Sequence, residues 1–430
     1  ITQKFHTGSP IFIKNLFHIL MASEGKNDNL VTLITRLIHN IGLSSYITTH
    51  QVHWVANVST FCFLITGFFQ VIALFMAKDD PERLFECFSV LAFSGMGVLK
   101  LLSLRRSRQS WRQLLNQISM LENTELSKDP ISDAEYQSDS EECDNFSDSI
   151  NIYTNKFRNT ANILIRIYSL TAIIFMVSPF VEYCLCKIRG MKCLGYPHIL
   201  PVWALLDDLN IYGYIVTVLG EFVSAVYCVC VHVAFDMTAI GIMIFICGQF
   251  SLLRDYSSRI GGKGKRCNIS RRRDKRAHFR IVRCHQINIL LVNSIIELDK
   301  LLSKIIGVYY LVATLTLCSV AIRFKVEDTS IMQLVSLIQY MCGTLTQLFL
   351  FCRYGDAVLH ENSMGMGQGP FAAAYWCLSP RVRRDLMLLS AGMIKPRHLH
   401  AGPFNFLDLP SFIQVIRTAY SYYAVLAKME

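Results

Sequence analysis

Residues Trp54–Ala77 form a run of 24 residues without a single charged side chain. A helix of that length rises roughly 36 Å, and roughly 20 apolar residues suffice to cross the ~30 Å hydrocarbon layer of a bilayer. Core helices of water-soluble domains have no need of such runs, so membrane insertion is the first expectation. Composition agrees: 17% of the 430 residues are charged, against about 25% in an average soluble domain.

The pattern recurs. Leu84–Leu104 is interrupted by Glu86 and Lys100, and Asn159–Tyr183 carries Arg166 near one end and Glu182 at the other. Leu209–Leu253 is the longest block, while Ile305–Ile322 and Ser330–Cys352 are charge-free. A seventh segment, Leu407–Ala427, contains Asp408, Pro410 and Arg417 and scores weakly by hydropathy. The first fifty residues include Lys4, Lys14, Lys26 and Asp28 and show no continuous apolar core of a cleavable signal. The first span is therefore expected to serve as its own insertion signal. Most of the 15 cysteines fall in spans or on segments expected to be cytosolic, where they pack rather than pair. Cys184, Cys186 and Cys193 cluster between the third and fourth spans and are bridge candidates.

Lys and Arg favour the cytoplasmic side of a membrane. With the N-terminus inside, 30 of the 42 basic residues fall on inner segments, 8 on outer ones and 4 in or against spans. This predicts a cytosolic N-terminus and an extracellular C-terminus. The same rule treats Leu209–Leu253 as one overlong helix, since two spans turning near Asp236 would carry the basic stretch Lys263–Arg283 outside. Seven spans follow, with a cytosolic body beneath. G-protein-coupled receptors have the opposite orientation, and this chain has neither Asp-Arg-Tyr after its third span nor Asn-Pro-x-x-Tyr in its seventh.

The acidic, Ser-rich tract Asp133–Asp148 has little apolar surface to bury and is expected to be disordered. It is either a solvated insertion or a phosphorylation site at Ser138 or Ser140. Lys263–Arg276 is strongly basic, but its position between spans points to the cytosolic membrane surface and anionic lipid headgroups, not to nucleic acid. Sequons at Asn57, Asn145 and Asn268 lie in a span or on the inner side, so none is expected to be glycosylated. Among charges within spans, Lys100 and Arg166 are expected to snorkel to the inner boundary, and Glu221 and Asp236 to meet partners inside the bundle. No His/Cys/acid cluster has metal spacing, and no phosphate loop or nucleophile elbow is present. Neither enzyme chemistry nor a cofactor is expected.

The most specific residues are LTQLFLFCRYGD (345–356), then HENSMGMGQGPFAAAYWCLSPRVRRDLMLL (360–389), then FNFLDLPSFIQVIRTAYSYYAVLAKME (404–430). A Phe-x-Phe-Cys stretch with Gly-Asp ends the sixth span. A Trp with an Arg-rich helix follows, and Ser421, Tyr422, Tyr423, Ala424, Val425 and Leu426 close the last span. Over about residues 330–430 this resembles the insect odorant receptors, which share the inverted seven-span plan. Gustatory receptors are the alternative of the same architecture, but their Thr-Tyr, five-residue, Gln-Phe signature is absent. The universal co-receptor has a longer second cytosolic loop and a different C-terminus, so the resemblance is to a tuned, odour-binding subunit.

That resemblance implies an all-α membrane protein of olfactory sensory neurons, multi-pass in the plasma membrane. It would assemble with the co-receptor as a heterotetrameric, odorant-gated, non-selective cation channel. The organisation expected is a cytosolic segment over 1–52 and spans one to six over 53–353, with an acidic cytosolic loop at 105–158 and a basic one at 254–300. A cytosolic anchor region over 354–400 and a pore-lining seventh span over 401–430 complete it. Alignment to the family places a hydrophobic gate at Val425, with Ser421 and Lys428 on the same helix face. Apolar constrictions stop ions by dewetting. Lys428 departs from the co-receptor's Gln, and a fixed cation there would make this chain alone a poor channel. Odorants in the family bind in the outer half of the bundle. Depth and residue type then select Phe88 and Leu91 on the second span, and Thr171 and Phe175 on the third. Tyr212, Ile215, Val216 and Leu219 on the fourth, and Met332, Val335, Ser336 and Gln339 on the sixth, complete the set. The runner-up class, a secondary transporter, requires an internal repeat, and none is found.

Overall fold

The computed structural model describes residues 30–40, 50–123, 140–190, 196–203, 211–262, 269–324, 331–363, 365–394 and 396–429. Among these the fold is helical apart from one small hairpin. The helices are α1 (Leu30–Asn40), α2 (His50–Met76), α3 (Pro81–Arg106), α4 (Arg108–Asn123), α5 (Ser140–Ile188) and α6 (Ile211–Ser258). They continue with α7 (Arg271–Arg323), α8 (Ile331–Ser363), α9 (Gln368–Ala372) and α10 (Pro380–Met393). An antiparallel pair, β1 (His400–Ala401) and β2 (Asn405–Phe406), then leads into α11 (Leu409–Met429).

Six of the described helices, α2, α3, α5, α6, α7 and α8, are long and apolar enough to cross a membrane. They contain the six strong hydrophobic blocks of the sequence. The weak seventh block is α11, whose 21 residues rise about 32 Å, enough to cross the hydrocarbon layer. Two of the three residues that depress its hydropathy, Asp408 and Pro410, are signals for starting a helix. Asp408 Oδ1 accepts the N–H of Ser411 at 2.9 Å, an N-terminal cap. Pro410 sits in the first turn, where its missing N–H costs nothing.

Leu209–Leu253 is one helix, α6, of 48 residues and about 72 Å. It is apolar on every face, and 89% of its most apolar stretch is buried, against 17–28% for α2, α5 and α8. Such a helix belongs at the centre of the molecule, and α6 packs against α1, α2, α3, α5, α7, α8 and α9. Two other helices are equally overlong: α5 with 49 residues and α7 with 53. Segments expected to be loops are therefore largely helical. Within 254–300, α6 runs to Ser258 and α7 starts at Arg271, so the basic residues 271–276 form the first turns of a spanning helix. Within 105–158, α4 occupies Arg108–Asn123 and α5 begins at Ser140. The acidic residues Ser140–Asp148 extend α5 rather than being disordered, because adding residues to an existing helix avoids the cost of nucleating one. The first part of that tract, with Ser138, lies outside the described residues, as do Cys193 and Asn268. Cys184 is a free thiol among the described residues.

Helix α1 packs on α4 and α6. Its first N–H groups, on Leu30 and Val31, meet the carboxyl of Glu122 at the end of α4. Burial pushes that carboxyl above its usual range, and the two N–H groups oppose the shift.

The hairpin that starts α11 is held by two close backbone approaches. Gly307 of α7 faces Gly402, where a side chain on residue 307 would come within 2.7 Å of the Gly402 Cα. Gly402 itself has φ +75°, a conformation glycine adopts at no steric cost. Gly355 of α8 lies against the carbonyl of Leu407. The Gly402 N–H donates to Ser303 O at 2.8 Å, and the Leu407 N–H to Leu399 O at 2.8 Å.

Lys100 does not snorkel. Its ammonium group is 2.6 Å from Asp236 Oδ1 of α6, and the two side chains are 1% and 0% exposed. Lys100 Nζ also lies 3.0 Å from His232 Nδ1. The other ring nitrogen, Nε2, is 3.1 Å from the carbonyl of Phe93. Since a carbonyl only accepts, Nε2 carries the proton and Nδ1 accepts from lysine. The second Asp236 oxygen accepts from Tyr168 of α5 at 2.5 Å and from Gln347 of α8 at 2.9 Å. The rings of Phe235 and Tyr309 face the ammonium at 5.6 and 5.9 Å. By contrast, Arg166 is exposed on α5, and Glu86 is half exposed and 4.0 Å from Arg323. Removing one partner of a buried pair strands the other charge and typically costs about 3–5 kcal/mol, whereas replacing both with apolar groups is often neutral. Lys100→Met should therefore lower the melting temperature of the detergent-solubilised protein, and adding Asp236→Leu should restore most of the loss. Equal melting temperatures for wild type and Lys100→Met would show that the pair is not a structural tie.

Candidate ligand-binding site

Above the Lys100–Asp236 pair lies an apolar cavity of about 70 Å³ enclosed by α3, α5, α6, α8 and the segment 196–203. Helix α3 contributes Val90, Phe93 and Ser94, and α5 contributes Tyr168, Thr171, Ala172, Phe175 and Met176. Helix α6 provides Ser224, Ala225, Cys228 and Val229, α8 provides Tyr340, and the connecting segment provides Ile199 and Leu200. Its size is roughly half that of the ~150 Å³ apolar cavity that holds benzene in an engineered core. Among the described residues, no charged side chain lines it.

The cover is strapped down by Glu221, which is 2% exposed. Its Oε2 accepts the N–H groups of Ile199 and Leu200 at 2.9 and 3.3 Å, and Oε1 lies 2.9 Å from His198 Nδ1. Tyr214 donates to Pro197 O at 2.8 Å. One buried carboxylate thus fixes the backbone of the two residues that close the cavity. At the opposite end, Tyr168 and Phe93 join the cavity wall to the charged network. Tyr168 donates to Asp236, and the Phe93 ring stacks on His232 with centroids 4.2 Å apart.

Of the twelve residues expected to contact ligand, Thr171 and Phe175 line the cavity. Gln339 adjoins it, donating to Thr171 Oγ1 at 3.2 Å. The others are placed elsewhere. On α6, Tyr212, Ile215, Val216 and Leu219 form one outward stripe and are 77%, 48%, 60% and 58% exposed. The cavity face of α6 begins more than one turn later, at Ser224. On α3, Phe88 and Leu91 are half-buried beside the lining positions Val90, Phe93 and Ser94, on a different face. On α8, Met332 and Ser336 are half-buried with Ser336 bonded to Met332 O, and Val335 is 42% exposed. Missing from the sequence selection were Phe93, Ser94, Ser224, Cys228 and Tyr340. The signal available for them was the recurrence of small or weakly polar residues one turn apart, Ser94 with Gly97 and Ser224 with Cys228, inside otherwise apolar helices.

Helix α11 packs on α7 and α8 through Ser411, Val415 and Ala419, which recur every fourth residue and are buried. A stripe about a quarter-turn round the helix carries Gln414, Ser421 and Val425, all exposed, with half-buried Thr418 between them, and the side opposite the contact exposes Ile413, Ile416 and Tyr420. Val425 is 59% exposed. Lys428 lies in the same helix, and its side chain is outside the described residues.

Comparison with solved structures gives the fold. The chain superposes on the insect olfactory receptor OR5 from Machilis hrabei with a TM-score of 0.70 and 13% identity, covering 98% of this chain and 99% of that one. The same receptor in complex with eugenol gives 0.72 at 11% identity, covering 98% of both chains. Among curated relatives, odorant receptor 82a of Drosophila melanogaster is 20% identical over 87% of this chain and 92% of its own length. Putative odorant receptor 85e of the same organism is 24% identical over 35% of this chain and 32% of its own length. The family described as 7tm Odorant receptor matches residues 80–420, most of the chain. With this match and the shared helical fold, the chain belongs to the seven-transmembrane odorant receptor family, multi-pass membrane receptors and not enzymes.

Proposed function

We propose that the protein is the odour-binding subunit of a heteromeric cation channel, with the cavity between α3, α5, α6 and α8 as the ligand site and α11 as the pore helix. The observation that carries this reading is the two-faced character of α11. One face docks on α7 and α8, while Gln414, Thr418, Ser421 and Val425 form a stripe beside it at alternating spacings of four and three, and Ile413, Ile416 and Tyr420 are exposed on the far side. A helix whose whole free surface met lipid would be apolar along that stripe as well. Polar side chains ending in one valine suit a water-filled path with an apolar constriction. Lys428 continues the stripe in sequence. A ring of such cations would oppose cation entry, which favours mixed assembly with a co-receptor subunit that lacks it. Ligand binding would open the pore to the extent that the open form holds the ligand more tightly.

The N-terminus is assigned to the cytosol and the C-terminus to the outside, on the distribution of basic residues. The location that follows is the plasma membrane of olfactory sensory neurons. The eugenol complex of the Machilis receptor supports an uncharged volatile as the kind of ligand.

Whole-cell recording tests this reading. Co-expression with an insect odorant co-receptor should give odour-evoked cation current, and expression of this chain alone should give little or none. Metabotropic, slowly developing current that needs G protein would refute it. An epitope tag fused after Glu430 should stain intact cells, and staining only after permeabilisation would reverse the assigned orientation. Val425→Ser should raise the current in the absence of odorant, because a hydroxyl wets the constriction. An unchanged baseline would remove Val425 from the gate.

A further inference from the structure

The polar atoms of the cavity wall are unequally committed. Tyr168 donates its hydrogen bond to Asp236, Thr171 donates to Ile167 O, and Tyr340 donates to the carbonyl of Ser89. Ser94 and Ser224 are different: they are 7% and 2% exposed, line the cavity, and neither hydroxyl has a partner among the described residues. Several helical serines, Ser89, Ser294 and Ser336 among them, discharge their hydroxyls onto the carbonyl four residues back. Ser94 and Ser224 do not, and their oxygens remain accessible.

The two hydroxyls also sit at one level. Gly97 of α3 abuts Cys228 of α6 so closely that a Cβ on residue 97 would fall 2.9 Å from the Cys228 Sγ. Both helices run away from the end closed by segment 196–203. Ser94 precedes Gly97 by three residues and Ser224 precedes Cys228 by four, one turn each towards that end. An unpaired buried hydroxyl carries a desolvation penalty that a ligand oxygen can relieve, and a carbonyl oxygen has two lone pairs, one for each donor.

We propose that Ser94 and Ser224 are the polar recognition pair of the cavity, and that its ligands are compact, uncharged molecules presenting one carbonyl oxygen, such as short ketones, aldehydes or esters. This rests on the reading of the cavity as the ligand site. The small volume limits the carbon skeleton to few atoms before Phe175 and Met176 must move. Among the described residues no charged group lines the cavity, which makes the neutral oxygen, not an ion, the feature that is read.

The test pairs methyl ketones of four to seven carbons with the alkenes in which a =CH2 group replaces the carbonyl oxygen, so that shape is held and only the acceptor changes. Two readouts are taken on the complex with co-receptor: odour-evoked current in cells, and the ligand-induced rise in melting temperature of the purified complex. Ser94→Ala and Ser224→Ala should each weaken the ketone response about five-fold, and the double variant about ten- to thirty-fold. Alkene responses should stay within about twofold and so report that the variants fold. Equal losses for ketone and alkene, no loss for either, or wild-type preference for the alkenes would each overturn the proposal. Ketone-dependent stabilisation that is lost in the double variant, without current from any form, would support the recognition pair and overturn only the channel reading.

Discussion

One ion pair organises the middle of this molecule. Lys100 and Asp236 are both shut off from solvent, and neither charge is tolerable there without the other and without the hydrogen bonds that surround them. The demand for satisfaction is what draws the helices together. Asp236 needs Tyr168 from α5 and Gln347 from α8, and Lys100 needs His232, which in turn needs the Phe93 carbonyl on α3. A purely apolar core would leave long helices free to slide and rotate against one another, because dispersion and burial are non-directional. Directional bonds to one carboxylate fix the relative depth of α3, α5, α6 and α8.

The apolar cavity proposed as the ligand site follows from that register. Tyr168 and Phe93 have one side on the charged network and the other on the cavity, so the wall is positioned by the same bonds that neutralise Asp236. Glu221 plays the complementary part at the other end, using one buried carboxylate to hold the backbone of Ile199 and Leu200 over the opening. Between two polar anchors the chain leaves a small apolar space. The apolar contacts set its area, and the anchors set its shape.

Helix α11 obeys a different constraint. It is attached by glycine contacts at its entry and by a narrow stripe of small and apolar residues, and much of its remaining surface, Gln414 and Ser421 as well as Ile413, Ile416 and Tyr420, is left uncovered by the chain itself. Polar residues on an uncovered side of a helix in a membrane receptor suit water or other subunits beside it. Its weak hydropathy agrees with the proposed pore role, as Asp408 and Pro410 belong to its start.

Much of this was written in the sequence. Charge-free runs longer than a bilayer is thick specify spans whatever the packing, and the pattern around 345–430 carried the family resemblance. The overlong central helix was legible because every face of Leu209–Leu253 is apolar, which leaves burial as the only option. What the sequence left open was rotation and depth. Tyr212, Ile215, Val216 and Leu219 have the residue types of a binding wall, yet they face outward, because in an apolar helix the hydrophobic pattern no longer distinguishes core from lipid. Lys100 looked free to snorkel until Asp236 was found beside it, 136 positions away in the chain. The sequence alone determined which segments are long and apolar enough to cross a membrane, since that depends on local hydropathy within each segment, but not how far α5 and α7 extend beyond them. Only the tertiary structure decided which faces meet, because pairing between distant buried polar groups, not hydrophobicity, is what distinguishes one rotation of a greasy helix from another.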